Sequence, residues 1–119
     1  MRLFISADSD DMSGKIDSSF GRCSFFLLYE TEDDSFEFVR NPHQDSQTSV
    51  GSSVAQSAIE YKVKAVIAVN PGPRAFKLLQ NTNIQIYHVP ENTSLKAVIS
   101  SFEKNELLPL ENYLPYHIS

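Results

Sequence analysis

The sequence predicts a single α/β domain in which five strands form a mixed sheet and three helices cover it. Apolar runs at 2–7 and 64–69 are typical of strands that are buried on both faces of a sheet. The first three predicted strands follow one another without a helix, whereas the last two are each reached through a helix. A chain of 119 residues is long enough for one domain with a core that needs no disulfide.

The first part of the chain predicts three strands. Arg2–Ala7 carries consecutive apolar residues and is followed by a polar loop. Strand 2 is predicted at Ser24–Glu30, and the turn Thr31–Asp34 leads into strand 3 at Ser35–Arg40, whose residues alternate between apolar and polar as at a sheet edge.

The second part predicts three helices and two strands. Helix 1 begins near Thr48 or Ser49, and its small residues from 51 to 57 allow close packing. Strand 4 at Lys64–Val69 ends in Asn70-Pro71-Gly72-Pro73, where Pro73 suits the first position of helix 2. Strand 5 is predicted at Ile84–Val89. Asn92 or Thr93 is expected to cap helix 3, whose apolar face is Leu95, Val98, Ile99 and Phe102.

This order of elements predicts the strand order 3-2-1-4-5 with strand 2 antiparallel, which is a ribonuclease H-like topology. The loops that follow strands 1 and 4 then share one edge of the sheet, where open α/β sheets place their ligands. The domain is predicted to span 1–107. The tail at 108–119 is expected to be extended, docked through Tyr113, Leu114 and Tyr116.

Composition limits the classes of function. The formal net charge is −5, which argues against a nucleic-acid partner, because phosphate binding requires a basic surface. No apolar run approaches the roughly 20 residues of a membrane span, and the first residues do not resemble a signal peptide. A single cysteine excludes an internal disulfide, so we expect a cytoplasmic protein.

Two segments that this topology brings to one edge resemble a known family. Ile16–Arg22 and Asn70–Phe76 are similar to the Asp-x-His-Phe-Gly and Gly-Pro-Arg-Ala-Phe stretches of the dinitrogenase iron–molybdenum cofactor biosynthesis family. Asn41-Pro42, the small residues of helix 1 and the ending at 102–107 agree with that family in order and spacing.

The resemblance implies a ribonuclease H-like fold and a role in binding, carrying or inserting metal–sulfur cofactors, in nitrogen fixation or another setting. Cofactor-assembly proteins would then be its partners. Ser19 stands where the family has a histidine, the obvious cluster ligand, and Val69 stands where it has a glycine. Cys23 falls where cofactor-carrying relatives often have a cysteine.

We therefore predict a cofactor site in the groove between the loop Ser18–Cys23 and the turn Asn70–Arg74, with the loop of His43 as a flexible cover. Its residues would be Ser19, Phe20, Gly21, Arg22, Cys23, Asn70, Gly72 and Arg74.

Two side chains are candidate metal ligands. Cys23 offers a soft thiolate, whose pKa Arg22 would lower, although a lone cysteine is more often a small buried apolar residue. His43 could turn onto a metal or simply be solvated. An iron–sulfur cluster held by protein alone needs about four thiolates, so one cysteine excludes such a site in a monomer.

Arg74 is the candidate anion ligand. It opens helix 2, where free amides and the helix dipole favour negative charge, although Pro71 and Pro73 remove two donors. The alternative is an ion pair between Arg74 and Asp17.

The leading hypothesis is a small, non-catalytic carrier of an anionic iron–molybdenum or iron–sulfur cofactor. A protein-interaction module of the same fold that has lost cofactor binding is the alternative. A ribonuclease H-like nuclease is a remote one: Asp8 and Asp10 could hold a metal ion, but the end of strand 4 offers Asn70 and no acid. Acids in such a loop are, however, more often simply solvated.

Overall fold

The computed structural model describes residues 1–111 as eight elements in the predicted order. The tail positions Tyr113, Leu114 and Tyr116 lie outside the described residues. The strands are β1 (Arg2–Ala7), β2 (Phe25–Glu30), β3 (Phe36–Arg40), β4 (Ala65–Ala68) and β5 (Gln85–His88), and the helices are α1 (Val50–Glu60), α2 (Pro73–Asn81) and α3 (Leu95–Glu103).

The sheet has the order β3-β2-β1-β4-β5, which confirms the predicted topology. β2 is antiparallel to both β1 and β3, whereas β4 is parallel to both β1 and β5. This arrangement is compatible with a ribonuclease H-like fold. Because β1, β3 and β4 all run in the same direction, their carboxyl ends meet at one edge of the sheet.

The helices cover the two faces of the sheet unequally. One apolar cluster joins α1 and α2 to the sheet through residues such as Val54, Phe76 and Phe4. The other cluster joins α3 to the opposite face, with Leu95 and Ile5 among its members. Since β1 contributes buried side chains to both clusters, it is the central strand that its continuous apolar run predicts.

The cap of α3 differs from the prediction. Ser94 is the N-cap, and its side chain accepts a hydrogen bond from the amide of Ala97 at 3.1 Å. Asn92 has a left-handed backbone with φ of 67°, and the Thr93 hydroxyl donates to the carbonyl of Pro90 at 2.7 Å. Three polar residues in a row each suit a cap, and the turn that precedes the helix decides which of them takes the position.

The beginning of the tail extends the sheet beyond β5. Leu110 donates its amide to the carbonyl of Ile86 at 2.7 Å, and Pro109 forms an isolated bridge with Tyr87. The edge of β5 is therefore covered by the chain itself at this point.

Within residues 1–111, no helix combines the length and the apolar character that a membrane crossing requires.

Candidate functional site

The amino ends of α1 and α2 flank a small, open cavity at the edge where β1, β3 and β4 end. Its volume is about 220 Å³, somewhat below the roughly 300–1,000 Å³ of typical small-molecule sites. The residues that line it are Ser49, Gly51, Ser52, Pro71, Gly72, Pro73, Arg74 and Ala75. Because the cavity is open to solvent, a ligand larger than this volume would be held only partly within it.

Unbonded backbone amides of both helices lie near this cavity. In α1 the first amide that bonds along the helix is that of Ser53, which donates to Ser49, so the amides of Gly51 and Ser52 find no acceptor within residues 1–111. In α2 the corresponding first bond runs from Phe76 to Gly72.

The amides of Arg74 and Ala75 likewise have no acceptor in the described part of the chain. Two helix amino ends with unbonded amides thus lie beside one cavity, and their dipoles favour an anion there.

Unusual backbone geometry shapes both rims. Gly72 has φ 83° and ψ 160°, a conformation that is essentially confined to glycine, and its amide donates to Oδ1 of Asn70 at 3.0 Å. On the other rim Ser49 is left-handed, with φ 58°, and its side chain makes no cap. Asn70 therefore orients the turn that carries Gly72, and it does not itself line the cavity.

Arg74 is exposed and carries the positive charge at the rim. The ion pairs within residues 1–111 join Met1 to Glu32 and Arg2 to Glu30, so the alternative pairing of Arg74 with Asp17 does not form. The guanidinium is therefore available to a ligand.

The loop Ser18–Cys23 does not line this cavity, but it packs against the start of α1, which does. Gly21 is buried against the start of that helix: a Cβ there would lie 2.6 Å from Cγ2 of Val50 and 2.8 Å from the nitrogen of Gly51. Gly51 in turn faces Pro71 and Ala75. The amino end of α1 thus fills the space in which the sequence predicts a groove between two loops.

Buried Asn41 ties the loop to the start of the β3–α1 connection. Its Nδ2 donates to the carbonyls of Gly21 at 3.0 Å and Cys23 at 2.9 Å, and its Oδ1 accepts the amide of His43 at 2.8 Å. The family-like Asn41-Pro42 pair therefore has a structural role, which is to hold together two segments that meet at this edge.

The thiol of Cys23 is inaccessible, with no exposed surface. Burial, with a smaller contribution from the charge of Asp17, raises the pKa of the thiol to about 12. The expectation that Arg22 lowers this pKa is wrong: the Arg22 guanidinium instead donates from Nη1 to the carbonyl of Gln44 at 2.9 Å. A thiolate ligand at Cys23 would require the loop to open.

The remaining predicted residues are held by local contacts. Phe20 is buried, with its ring centroid 5.9 Å from that of Phe4, and anchors the loop. Ser19 donates its amide to Asp17 and accepts the amide of Arg22, each at 3.0 Å. His43 is half-buried, with Nε2 3.3 Å from the hydroxyl of Ser57, so its ring contacts α1.

The aspartates after β1 hold their own loop. Oδ1 of Asp8 accepts the amide of Lys15 at 3.0 Å, and Oδ1 of Asp11 accepts that of Ser13 at 2.8 Å. The bond from Ser13 is the main cause of the lowered pKa of Asp11. Residues 1–111 contain no cluster of three or more His, Cys, Asp or Glu side chains that could hold a metal ion.

The sequence prediction missed the contribution of α1 to the cavity. Ser49, Gly51 and Ser52 line it because β3 runs parallel to β1 and β4, so the helix that follows β3 begins at the same edge. The predicted strand order together with the small residues of helix 1 carried this signal.

Solved structures match nearly the whole chain. A Thermotoga protein of the DUF35 family, named as a candidate NifB protein, superimposes with a TM-score of 0.81, at 28% identity, over 97% of each chain. The apo form of the orange protein from Desulfovibrio gigas superimposes with a TM-score of 0.90 over 96% of each chain, and at 21% identity it shows the shared fold alone.

Sequence comparison finds one relative of similar length and one matching family. An uncharacterized protein of Methanocaldococcus jannaschii is 26% identical over 114 residues, which cover 93% of this chain and 92% of that protein. The sequence profile of the family described as dinitrogenase iron–molybdenum cofactor matches residues 1–105. The chain therefore belongs to the dinitrogenase iron–molybdenum cofactor family.

Proposed function

We propose that this protein is a non-catalytic carrier that binds an anionic metal–sulfur cofactor, of the iron–molybdenum or iron–sulfur type, in the cavity between α1 and α2. The observation that carries the proposal is the convergence of two helix amino ends on that cavity, together with the free guanidinium of Arg74. The cofactor is cargo that arrives assembled and leaves intact.

The electrostatics of the cavity favour an anionic cargo. The whole chain has a formal net charge of −5, so general attraction does not bring an anion to it. The two helix amino ends and the charged Arg74 would supply a local positive potential instead. Recognition would therefore depend on this one place on the surface.

The small number of metal-ligating side chains favours a carrier over a protein with a permanently bound cofactor. The chain has one cysteine, and its thiol is buried and protonated at neutral pH. Hydrogen bonds and charge alone hold a cluster less firmly than thiolates do, so release to an acceptor protein would be rapid. Membership of the iron–molybdenum cofactor family is consistent with this role. Cofactor-assembly proteins would be the donor and the acceptor.

The first experiment tests charge at the rim. Apo-protein is titrated anaerobically with isolated iron–molybdenum cofactor, followed by absorbance and EPR. A lost charge-assisted hydrogen bond is worth roughly 1.5–3 kcal/mol, so Arg74→Glu should weaken binding at least tenfold. Lys96→Glu makes the same change of charge on α3, across the sheet, and should leave binding unchanged.

The second experiment separates binding from stability. Alanine at Gly51 would place its Cβ 3.6 Å from the carbonyl oxygen of Pro71 and 3.8 Å from Cβ of Ala75, which are ordinary contacts. Gly51→Ala should therefore stabilise α1 by up to about 1 kcal/mol while it narrows the cavity and weakens binding. Exposed Gln56 on α1 supplies the control, because Gln56→Ala changes the helix without touching the cavity.

The alternative function is a protein-interaction module that has lost its cofactor. Ser19 in place of the family histidine and the inaccessible Cys23 favour it. Wild-type protein that binds no cofactor in the titration, or variants at Arg74 and Gly51 that bind as well as wild type, would make this alternative the better account.

A further inference from the structure

The open edge of β3 carries a set of backbone groups that no described residue bonds. In the ladder between β2 and β3, Glu30 donates to Ser35 and Asn41 donates to Ser24, which fixes the alternation of the hydrogen bonds. Residues 35, 37, 39 and 41 therefore direct their amides and carbonyls at β2.

The amides and carbonyls of Phe36, Phe38 and Arg40 consequently point away from the sheet. β3 contains no proline, and it carries no inward-pointing lysine of the kind that blocks edge pairing. Phe36 is 50% exposed, with its ring centroid 5.9 Å from that of Phe38. An apolar side chain thus stands in water beside three residues with unbonded backbone groups.

We propose that the β3 edge pairs with the β3 edge of a second copy of this chain, so that two five-stranded sheets form one continuous sheet. The charges at the two ends of β3 favour a second copy of the chain as its partner. The turn before β3 is acidic, with Asp33 and Asp34, and the strand ends in Arg40. An antiparallel pair related by a two-fold axis places the acidic end of each strand beside the basic end of the other, whereas a parallel pair would oppose acid to acid.

The register of the pair follows from the same residues. Centring on Glu37 would oppose two carboxylates. Centring on Val39 would set Phe36 against Pro42 of the second copy, which has no amide to donate. Centring on Phe38 uses every outward amide and carbonyl of Phe36, Phe38 and Arg40.

The Phe38-centred register also matches the side chains on one face. Phe38 meets its own copy, and Phe36 lies opposite Arg40 of the second copy. Arg40 already has its guanidinium carbon 5.2 Å from the ring centroid of Phe25, so it is suited to a second aromatic neighbour. A contact of one five-residue strand is small, so the dimer should be weak and dependent on concentration.

Sedimentation velocity of the full apo chain over a wide concentration range tests this proposal. A species of twice the 13.4 kDa chain mass should appear as concentration rises. Phe36→Lys places a cation opposite Arg40 of the second copy and should weaken the dimer at least tenfold. Leu108→Lys introduces the same residue at another exposed apolar site and should leave the dimer unchanged.

A double variant with reversed charges gives the decisive test of the pairing. Arg40→Glu combined with Phe36→Lys should restore association, because each new cation then faces a new carboxylate. A monomer at every concentration would overturn the proposal, as would a dimer that Phe36→Lys does not weaken or that the double change does not restore. The test needs no cofactor, so its result is independent of the proposed carrier function.

Discussion

Replacing Asn41 by alanine should destabilise the protein substantially, because one buried amide joins two segments at the edge where β1, β3 and β4 end. The side chain is 3% exposed, and it bonds the carbonyls of Gly21 and Cys23 and the amide of His43. Alanine removes all three bonds and leaves buried carbonyls without a partner.

The magnitude follows from the count of bonds. Each contributes about 1 kcal/mol net, so the free energy of unfolding should fall by about 3 kcal/mol. An entropy of unfolding of about 2.1 cal/mol/K per residue over a chain of this length corresponds to a loss of about 12 °C in Tm. Thermal unfolding followed by circular dichroism measures this change directly.

Aspartate at position 41 tests the same role through the pH dependence of stability. Its carboxylate would face the two carbonyls that the amide now bonds, so folding should raise its pKa. A raised pKa means that the penalty of Asn41→Asp is small below the unfolded value of about 3.9 and grows as pH rises above it. The variant should therefore lose more Tm relative to wild type at pH 7.5 than at pH 4.5.

Exposed Asn81 at the end of α2 provides the control, and Asn81→Ala should shift Tm by little. A loss of less than about 3 °C for Asn41→Ala, or a pH-independent effect of Asn41→Asp, would refute the assigned role of the amide.

Three further predictions concern single residues. Gly72→Ala should lower stability by about 1–3 kcal/mol in chemical unfolding through backbone strain alone, since a Cβ there meets nothing within 4 Å. The raised pKa of the Cys23 thiol contributes stability that is complete below pH 9.0 and is lost as pH rises toward about 12, so Cys23→Ala should flatten alkaline denaturation. Ser94→Ala should cost about 1 kcal/mol of stability in the same unfolding assay, through the lost cap of α3.

The strand order is predictable because its signals are local and strong. The continuous apolar runs of β1 and β4 identify the central strands, and Pro73 marks the start of α2. The ends of elements are less predictable, since the hydrogen bonds of neighbouring turns decide them. Ser94 takes the cap of α3 because the Thr93 hydroxyl is already bonded to Pro90 and Asn92 has a left-handed backbone.

The site was only partly predictable, because it depends on contacts between distant segments. Arg74 and Gly72 lie where the helix 2 motif predicts them. Close packing of Gly21 on the start of α1, however, depends on two residues thirty positions apart, which no local pattern records. Burial of Cys23, whose carbonyl Asn41 bonds, also depends on contacts between distant segments. This burial raises the pKa of the thiol, where the sequence predicts that it is lowered.

Amide-resolved NMR of the full chain with isolated iron–molybdenum cofactor tests the central claim most directly. A paramagnetic cofactor broadens the signals of nearby amides, so bound cofactor between α1 and α2 should broaden Gly51, Ser52, Arg74 and Ala75 first. The amides of α3, on the opposite face of the sheet, should stay sharp. Broadening centred on any other surface, or none at all, would contradict the carrier site at these helix ends.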